Sequence, residues 1–241
     1  MADVPPDSSS ADPLPLFIDQ DQHPTPASGD PQLISAIGDH IERFIGPIAM
    51  VYHEILSGLV HLDVYHVAPT NERPCHFLIT SGMSERPMSA PPQAQHCRFA
   101  ELFIALPASW PMDKASWQRS EWFWPIRELK SHALYPHTKD VWLWYGHTIQ
   151  TSEGEPYDSS IRFNAVALGP SYLIDTGFSH LQVAPDREIA FFGLFFLFPE
   201  ELRYKLRRGS DALFGRLEKH GITEVMDPSR RNSCRHWWQP R

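Results

Sequence analysis

Hydrophobic residues recur along the chain with two different periods, and the switch between them predicts both helices and strands. Apolar positions three to four residues apart between residues 33 and 45 predict a first helix, which Asp30 caps and Gly46 ends. The same spacing predicts three further helices, over residues 122–136, 199–209 and 210–221. Ser210 is the expected N-cap of the last helix.

Alternating patterns and short apolar runs predict six strands, at residues 59–67, 75–80, 98–107, 141–149, 161–169 and 188–198. The first three follow one another with only loops between them, which favours antiparallel pairing. The last run is apolar on both faces, as expected for a strand at the centre of a sheet. This order of elements predicts an α+β fold, a mixed, largely antiparallel β-sheet flanked by α-helices.

The first 29 residues differ in composition from the rest. They form an acidic Pro/Ser-rich tail, which leaves residues 30–241 as one domain. Residues 1–30 hold six Asp and no Lys, Arg or Glu, so they carry six of the eight net negative charges. The apolar stretch at 14–18 is the part of the tail best suited to dock on the domain. The nearly neutral remainder has no basic field, so nucleic-acid binding is not expected.

The apolar runs and the cysteines predict a cytoplasmic protein that does not bind membranes. The most apolar run, residues 189–198, is too short to span a bilayer as a helix. Residues 1–20 lack the positive and apolar regions of a signal peptide. The three cysteines have no recognisable spacing, which predicts reduced thiols.

The stretch TSGMSERPM, residues 80–88, contains the first candidate for chemistry. A nucleophilic serine on a tight turn has the pattern G-x-S-x-G, because the turn needs small residues on both sides. Gly82 and Ser84 supply the first half, but Arg86 stands at the second glycine position and a Pro-rich loop replaces the helix. We therefore interpret Ser81, Gly82 and Ser84 as a structural turn whose hydroxyls bond the backbone, with no catalytic residue.

Glu101 lies between two aromatic residues on one strand face, an environment that suits a general acid. A hydrolase using Ser84 or Glu101 with a histidine such as His147 is therefore one alternative. The simpler role for Glu101 is an ion pair with Arg98 or Arg127, or an exposed position at a sheet edge. No second carboxylate is placed beside it, as glycosidase chemistry needs.

Four residues of ligand type flank the Pro-rich loop of residues 82–97, namely Cys75, His76, His96 and Cys97. Structural zinc sites space each ligand pair by two to four residues, and adjacent residues on a strand point to opposite faces. We therefore expect no metal and no cofactor. His61 and Asp63 share one strand face and are interpreted as a solvated surface pair.

Two tryptophans, Trp110 and Trp117, lie in a polar loop. Exposed aromatic residues in loops often anchor a partner protein, whereas core packing is the common role of tryptophan. The sequence leaves both roles open.

Three stretches, in this order, resemble bacterial members of the Suppressor of fused family: LDVYHVAPTNERPCHFLITSGMSERPM (62–88), AELFIALPASWP (100–111) and WPIRELKSHALYPHTKDVWLWYGHTI (124–149). The segment DPSRRNSC (227–234) is similar to the closing motif of the family. The resemblance covers roughly residues 45 to 235 and leaves out the tail.

The resemblance implies a non-enzymatic protein-binding module. Animal members hold a short peptide as an added strand between two lobes, and this chain is too short for the full second lobe. Bacterial members are inferred to be immunity proteins, so the expected partner is a polymorphic toxin domain. The alternative is a regulatory scaffold that binds a peptide by strand addition, with the strand at 98–107 as the acceptor. The residues expected to contact a partner are Met83, Arg86, Met88, Trp110 and Trp117.

Overall fold

The computed structural model describes residues 29–53 and 61–235. The described chain has eight strands: β1 (Ile48–His53), β2 (Asp63–Val67), β3 (Cys75–Ser81), β4 (Ala100–Pro107), β5 (Thr148–Gln150), β6 (Ala165–Gly169), β7 (His180–Ala184) and β8 (Arg187–Leu197). It has four α-helices: α1 (Pro31–Phe44), α2 (Ser120–Lys139), α3 (Pro199–Arg208) and α4 (Ser210–Lys219). The apolar stretch at 14–18 lies outside the described residues.

All eight strands belong to one sheet, in the order β1-β2-β3-β4-β8-β6-β5, with β7 paired to the first half of β8. The pairs are antiparallel except β4 with β8, which is parallel. The predicted α+β class with a mixed, largely antiparallel sheet is therefore confirmed. The central position of β8 is also confirmed, because β8 pairs with neighbours along both sides.

Helices cover both faces of the sheet. Helix α2 packs Trp124, Ile126 and Leu129 against one face, together with the alternate residues of the central strands. Helix α1 covers the other face near β2 and β3, and α3 with α4 covers it near β6 and β8. Alternation along β8 explains how one strand serves both layers, since successive side chains point to opposite faces.

The first helix begins and ends as its sequence predicts. The Asp30 side chain accepts hydrogen bonds from the backbone N–H groups of Gln32 and Leu33, at 3.0 and 3.4 Å. This satisfies two of the donors that a helix start leaves without partners. Gly46 has a φ of +138°, which lets the chain turn away after the last helical residue.

Three local predictions are wrong. The strand predicted at 141–149 is reduced to Thr148–Gln150, because Gly146 adopts a φ of +75° and the chain turns there. Ser210 is the first residue of α4 instead of its cap, and its hydroxyl donates to the Gly146 carbonyl at 3.0 Å. Strands β1 and β7 are absent from the sequence prediction. Both are short strands with partly exposed residues, so their apolar pattern is weak.

Within the described residues, no helix combines the length and apolar character that a bilayer crossing requires.

Candidate partner-binding groove

Gly82 is the pivot of the turn that follows β3. Its φ is +125°, and a β-carbon at this position would lie 1.7 Å from the backbone oxygen of His61. Only glycine fits both the backbone conformation and the close approach. The predicted structural role of Gly82 is therefore supported by its geometry.

The turn is held by a side chain of the neighbouring strand β4. Glu101 of β4 accepts hydrogen bonds from the backbone N–H groups of Gly82 and Ser84, at 3.0 and 2.9 Å. The hydroxyls of Ser84 and Thr80 donate to the same carboxyl group, each at 2.6 Å. The expected bond from the Ser84 hydroxyl to the backbone is thus replaced by a bond to Glu101. The side chain of Ser81 is buried at the end of β3.

Burial, opposed by these hydrogen bonds, raises the pKa of the Glu101 carboxyl above its ordinary value. The predicted ion pair with Arg98 or Arg127 is wrong, because the hydrogen bonds that the Glu101 side chain accepts come from Thr80 at the end of β3 and from the turn that follows it. Glu101 and Ser84 are both fully buried. Neither can meet a substrate in this conformation, so the geometry gives no support to a hydrolase built on them.

Four of the five residues expected to contact a partner lie in the core. Met83 and Met88 are buried, and the Met88 sulfur accepts from the Leu143 N–H. Arg86 is exposed, and its contact with a partner stays a prediction. The apolar character of both methionines is explained by packing against the α2 face of the sheet.

The two loop tryptophans also pack inward, so core packing, one of the two roles that the sequence leaves open, applies to both. Trp117 lies 4.7 Å from Tyr52 between ring centroids, and its indole N–H donates to the Pro111 carbonyl at 3.1 Å. Trp110 packs edge-on against Trp122 at 5.1 Å and donates to the Trp122 carbonyl at 3.1 Å. Both are less than one tenth exposed. Trp110 differs from Trp117 in that it also lines a surface groove.

That groove, here called the Trp110 groove, has a volume of about 740 Å³. Its walls come from the β2–β3 turn, the end of β4 with the loop after it, the start of α2, the loop after β6 and the segment after α4. The lining residues are Glu72, Arg73, Pro74, Cys75, Pro107, Ser109, Trp110, Trp122, Leu173, Val225, Asp227, Pro228 and Ser229. Two tryptophans, three prolines and two aliphatic side chains make the surface mainly apolar, with two carboxylates and one guanidinium among them.

Backbone hydrogen bonds make one wall of the groove part of the sheet. Val225 forms a parallel bridge to Ala105 of β4, and the Met226 N–H donates to the Ala105 carbonyl at 2.8 Å. Asp227 then turns the chain by accepting from the Ser229 N–H at 2.8 Å. The segment after α4 is therefore fixed beside β4 by its own backbone.

A buried glutamate holds the opposite rim. Glu224 is 1% exposed and accepts from the backbone N–H groups of Tyr172 and Leu173, each at 3.1 Å, and from the Ser171 hydroxyl. The Leu173 side chain remains 41% exposed at the edge of the groove. The loop thus presents an apolar side chain to solvent from a rigid support.

The pairing of β4 decides where a peptide strand could be added. Residues 103–107 of β4 pair with β3, and residues 100–103 pair with β8. The Val225 bridge occupies the remaining side at Ala105. Both edges of β4 are therefore in use, and strand addition there is excluded.

The Cys/His quartet does not assemble in the described structure. Cys75 packs in the core on the α1 side, and burial raises the pKa of its thiol to about 11. His76 instead bonds His66, with 2.9 Å between the ring nitrogens. Cys97 is buried and His96 is exposed. All three cysteines are free thiols.

A mixed sheet with helices on both faces and an apolar surface groove defines an α+β domain with a candidate binding surface. The family model described as Suppressor of fused protein (SUFU) matches residues 58–231, so the chain belongs to the Suppressor of fused family. The fold of this family is a protein-binding fold without catalysis. The comparison with curated proteins finds no match.

Solved structures share the fold at low sequence identity. A Suppressor of fused homologue from Neisseria gonorrhoeae FA 1090 is 17% identical, with a TM-score of 0.57 over 87% of this chain and 97% of the homologue. A chain of the Sufu–Fu complex is 14% identical, with a TM-score of 0.62 over 86% of this chain and 93% of that one. Drosophila Suppressor of Fused is 13% identical, with a TM-score of 0.56 over 83% of this chain and half of its own length.

Most groove residues were missed by sequence reasoning because they come from five separate segments of the chain. Leu173 and Val225 lie in stretches with no periodic pattern, and only the fold brings them beside Trp110. The segment DPSRRNSC was noticed as a family motif, but its position against β4 has no local signal.

Proposed function

We propose that this protein is a non-catalytic binding module that receives a segment of a partner protein in the Trp110 groove, and that it neutralises a toxin domain in this way. The single observation that carries the proposal is a mainly apolar groove, held by backbone hydrogen bonds, with an exposed leucine at its rim. Binding is strongest where apolar side chains fill a pre-formed pocket surrounded by polar groups.

The polar groups of the groove suit a protein segment. The carboxylates of Glu72 and Asp227 stand among the apolar residues, and Arg73 is held by a bond to the Ile45 carbonyl at 2.5 Å. An incoming segment with apolar side chains and a basic residue would bury the tryptophan surface and pair with these carboxylates. One of the structures that share this fold belongs to a protein complex, Sufu–Fu, which supports a protein as the ligand.

The choice of a toxin as partner is supported by the resemblance to bacterial members of the family and by charge. The aspartates of residues 1–30 carry most of the net negative charge. Toxins that cleave nucleic acid are often cationic, and opposite charge speeds the encounter of two proteins. The groove then provides the specific contact, and the tail increases the association rate.

The test compares two exposed leucines. Leu173 lies at the rim of the groove and Leu206 lies on α3, where it is 68% exposed. Each is changed to Arg, and binding to a candidate toxin domain, the C-terminal domain of a secreted protein encoded by the gene immediately upstream, is measured by calorimetry. We expect Leu173→Arg to raise Kd at least tenfold, because a charge replaces a buried apolar contact. Leu206→Arg should leave Kd unchanged.

Growth of cells that express the toxin domain separates binding from neutralisation. Wild type and Leu206→Arg should restore growth, and Leu173→Arg should not. Equal Kd values for all three proteins would show that the groove is not the interface. Tight binding without restored growth would retain the binding role and refute the immunity role.

A further inference from the structure

Three side chains of metal-ligand type converge at the end of the β1–β2 pair. The Nδ1 atom of His53 lies 2.9 Å from Oδ1 of Asp63, and Nε2 of His61 lies 3.2 Å from the same oxygen. The ligand atoms of all three residues lie within 4.8 Å of one another. Among the residues that the structure describes, these three form a group whose ligand atoms are close enough to share one ion.

The strand register explains why the three side chains meet. His53 of β1 stands directly opposite Asp63 of β2 in the antiparallel pair. His61 precedes Asp63 by two residues, and residues two apart along an extended chain point to the same side. The interpretation of His61 and Asp63 as a solvated pair is corrected here, because the Asp63 carboxylate is 5% exposed and both histidines bond it.

The two separations from Asp63 are close to those of ligands around a small divalent ion. Imidazole nitrogen and carboxylate oxygen bind zinc at about 2.0–2.2 Å, so tetrahedral ligand atoms lie about 3.4 Å from one another. The observed distances to Asp63 are within half an ångström of that value. An ion would take the place of the protons that now join the two histidines to the carboxylate, and the two imidazoles, whose nitrogens lie within 4.8 Å of each other, would turn towards it.

We propose that His53, His61 and Asp63 bind one divalent ion of the zinc class. Two imidazoles and one carboxylate leave a fourth position open, as in catalytic zinc sites and unlike closed structural ones. That position faces solvent, because the side chain of His53 is 65% exposed and that of His61 is 22% exposed. A water molecule or a side chain of a bound protein fills it.

The test is a titration of the purified full chain with Zn²⁺ against a chromophoric chelator, together with Co²⁺ absorption spectra. Wild type should bind one ion per chain, and Co²⁺ should give the intense visible bands of a four-coordinate site. His53→Ala should weaken Zn²⁺ binding at least tenfold and remove these bands. The exposed position of His53 makes this variant safe for folding.

His180→Ala is the matched control, since His180 is an exposed histidine beside a carboxylate, 3.7 Å from Glu188. It should bind Zn²⁺ as wild type does. Absence of saturable one-to-one binding by wild type would overturn the proposal. Equal affinity of wild type and His53→Ala would overturn it as well, because the ion would then be bound elsewhere.

Discussion

At the scale of single residues, two buried carboxylates accept hydrogen bonds from backbone N–H groups of turns that have no backbone acceptor for them. Glu101 holds the turn after β3, and Glu224 holds the loop at Leu173. Each accepts two backbone N–H groups, and those of Gly82 and Ser84 would otherwise be buried without a partner. Such unpaired groups cost more than a hydrogen bond contributes, so the loss of one carboxylate affects a whole turn.

Replacement of Glu101 should separate the hydrogen bonds of this carboxyl group from its charge. Glu101→Ala leaves the N–H groups of Gly82 and Ser84 unpaired in the core, and we expect it to lower the free energy of unfolding by about 3 kcal/mol. Glu101→Gln keeps an oxygen for these donors and places an amide beside Thr80, so its cost should be less than about 1.5 kcal/mol. Urea denaturation at neutral pH measures both values.

The pH dependence of the Gln variant supplies the control. Because burial raises the folded-state pKa of Glu101 above 4.5, its stabilising effect is full below that pH and is lost as the pH rises through the folded-state pKa. Glutamine does not titrate. The stability of wild type relative to Glu101→Gln should therefore decrease as the pH rises above 4.5, and a constant difference would contradict a raised pKa.

The residues of this turn were predicted singly but not as a group. Gly82 and Ser84 stood out because of a known turn pattern, and Glu101 because aromatic residues flank it. Their contact spans 17 to 19 positions in the chain and depends on the pairing of β3 with β4. Local patterns carry no information on such pairing, so the role of Glu101 as an anchor could not be predicted.

At the scale of elements, one arginine fastens the end of the chain to the start of α3. Arg230 donates to both carboxylate oxygens of Glu201, at 2.8 and 2.6 Å, and to the Phe196 carbonyl at 2.6 Å. Its guanidinium also lies 4.8 Å from the ring centre of Phe198. Burial alone would raise the pKa of Glu201, but the hydrogen bonds and charge of Arg230 outweigh it and hold that pKa below its ordinary value.

Loss of the ion pair between Arg230 and Glu201 should lower the stability of the fold. Arg230→Ala leaves the fully buried Glu201 without its cation, and we expect a loss of about 3–5 kcal/mol in the free energy of unfolding. The neighbouring Arg231→Ala is the matched control, because Arg231 is exposed and its loss should cost less than about 0.5 kcal/mol. Chemical denaturation of both variants checks the values, and similar losses in the two would show that Arg230 is not a clamp.

Helices and strands with a long apolar pattern were predicted correctly. The prediction failed in a short stretch whose conformation is set by side-chain contacts. Helix α1 and strand β8 have clear patterns and both were found. The stretch at 141–147 alternates like a strand, yet it forms a turn in which Trp142 packs edge-on against His147 at 4.8 Å. Tertiary contacts outweigh β-propensity in so short a stretch.

At the scale of the whole molecule, packing of helices on both faces of the sheet buries several histidines in neutral form. Burial lowers the pKa of His132 to about 4, and burial together with the charge of His76 lowers that of His66 to about 4. His132 lies on α2 and is 3.3 Å from the Tyr157 hydroxyl, whereas His66 lies on β2. The two histidines lie on different elements of one cooperative domain, so protonation of either one destabilises the whole domain.

These histidines should make the fold sensitive to mild acid. A folded-state pKa below the unfolded value of 6.5 means that the stabilising effect is full above pH 6.5 and is lost as the pH falls towards 4. One such group contributes up to about 3 kcal/mol to this loss. His132→Gln should therefore lose about 3 kcal/mol less stability than wild type between pH 7 and pH 4, whatever its stability at pH 7. Urea denaturation across this range measures both slopes.

His96→Gln is the control. Because His96 is exposed, the stability of this variant should vary with pH as that of wild type does. A slope for His132→Gln equal to that of wild type would show that His132 remains able to take up a proton in the folded state.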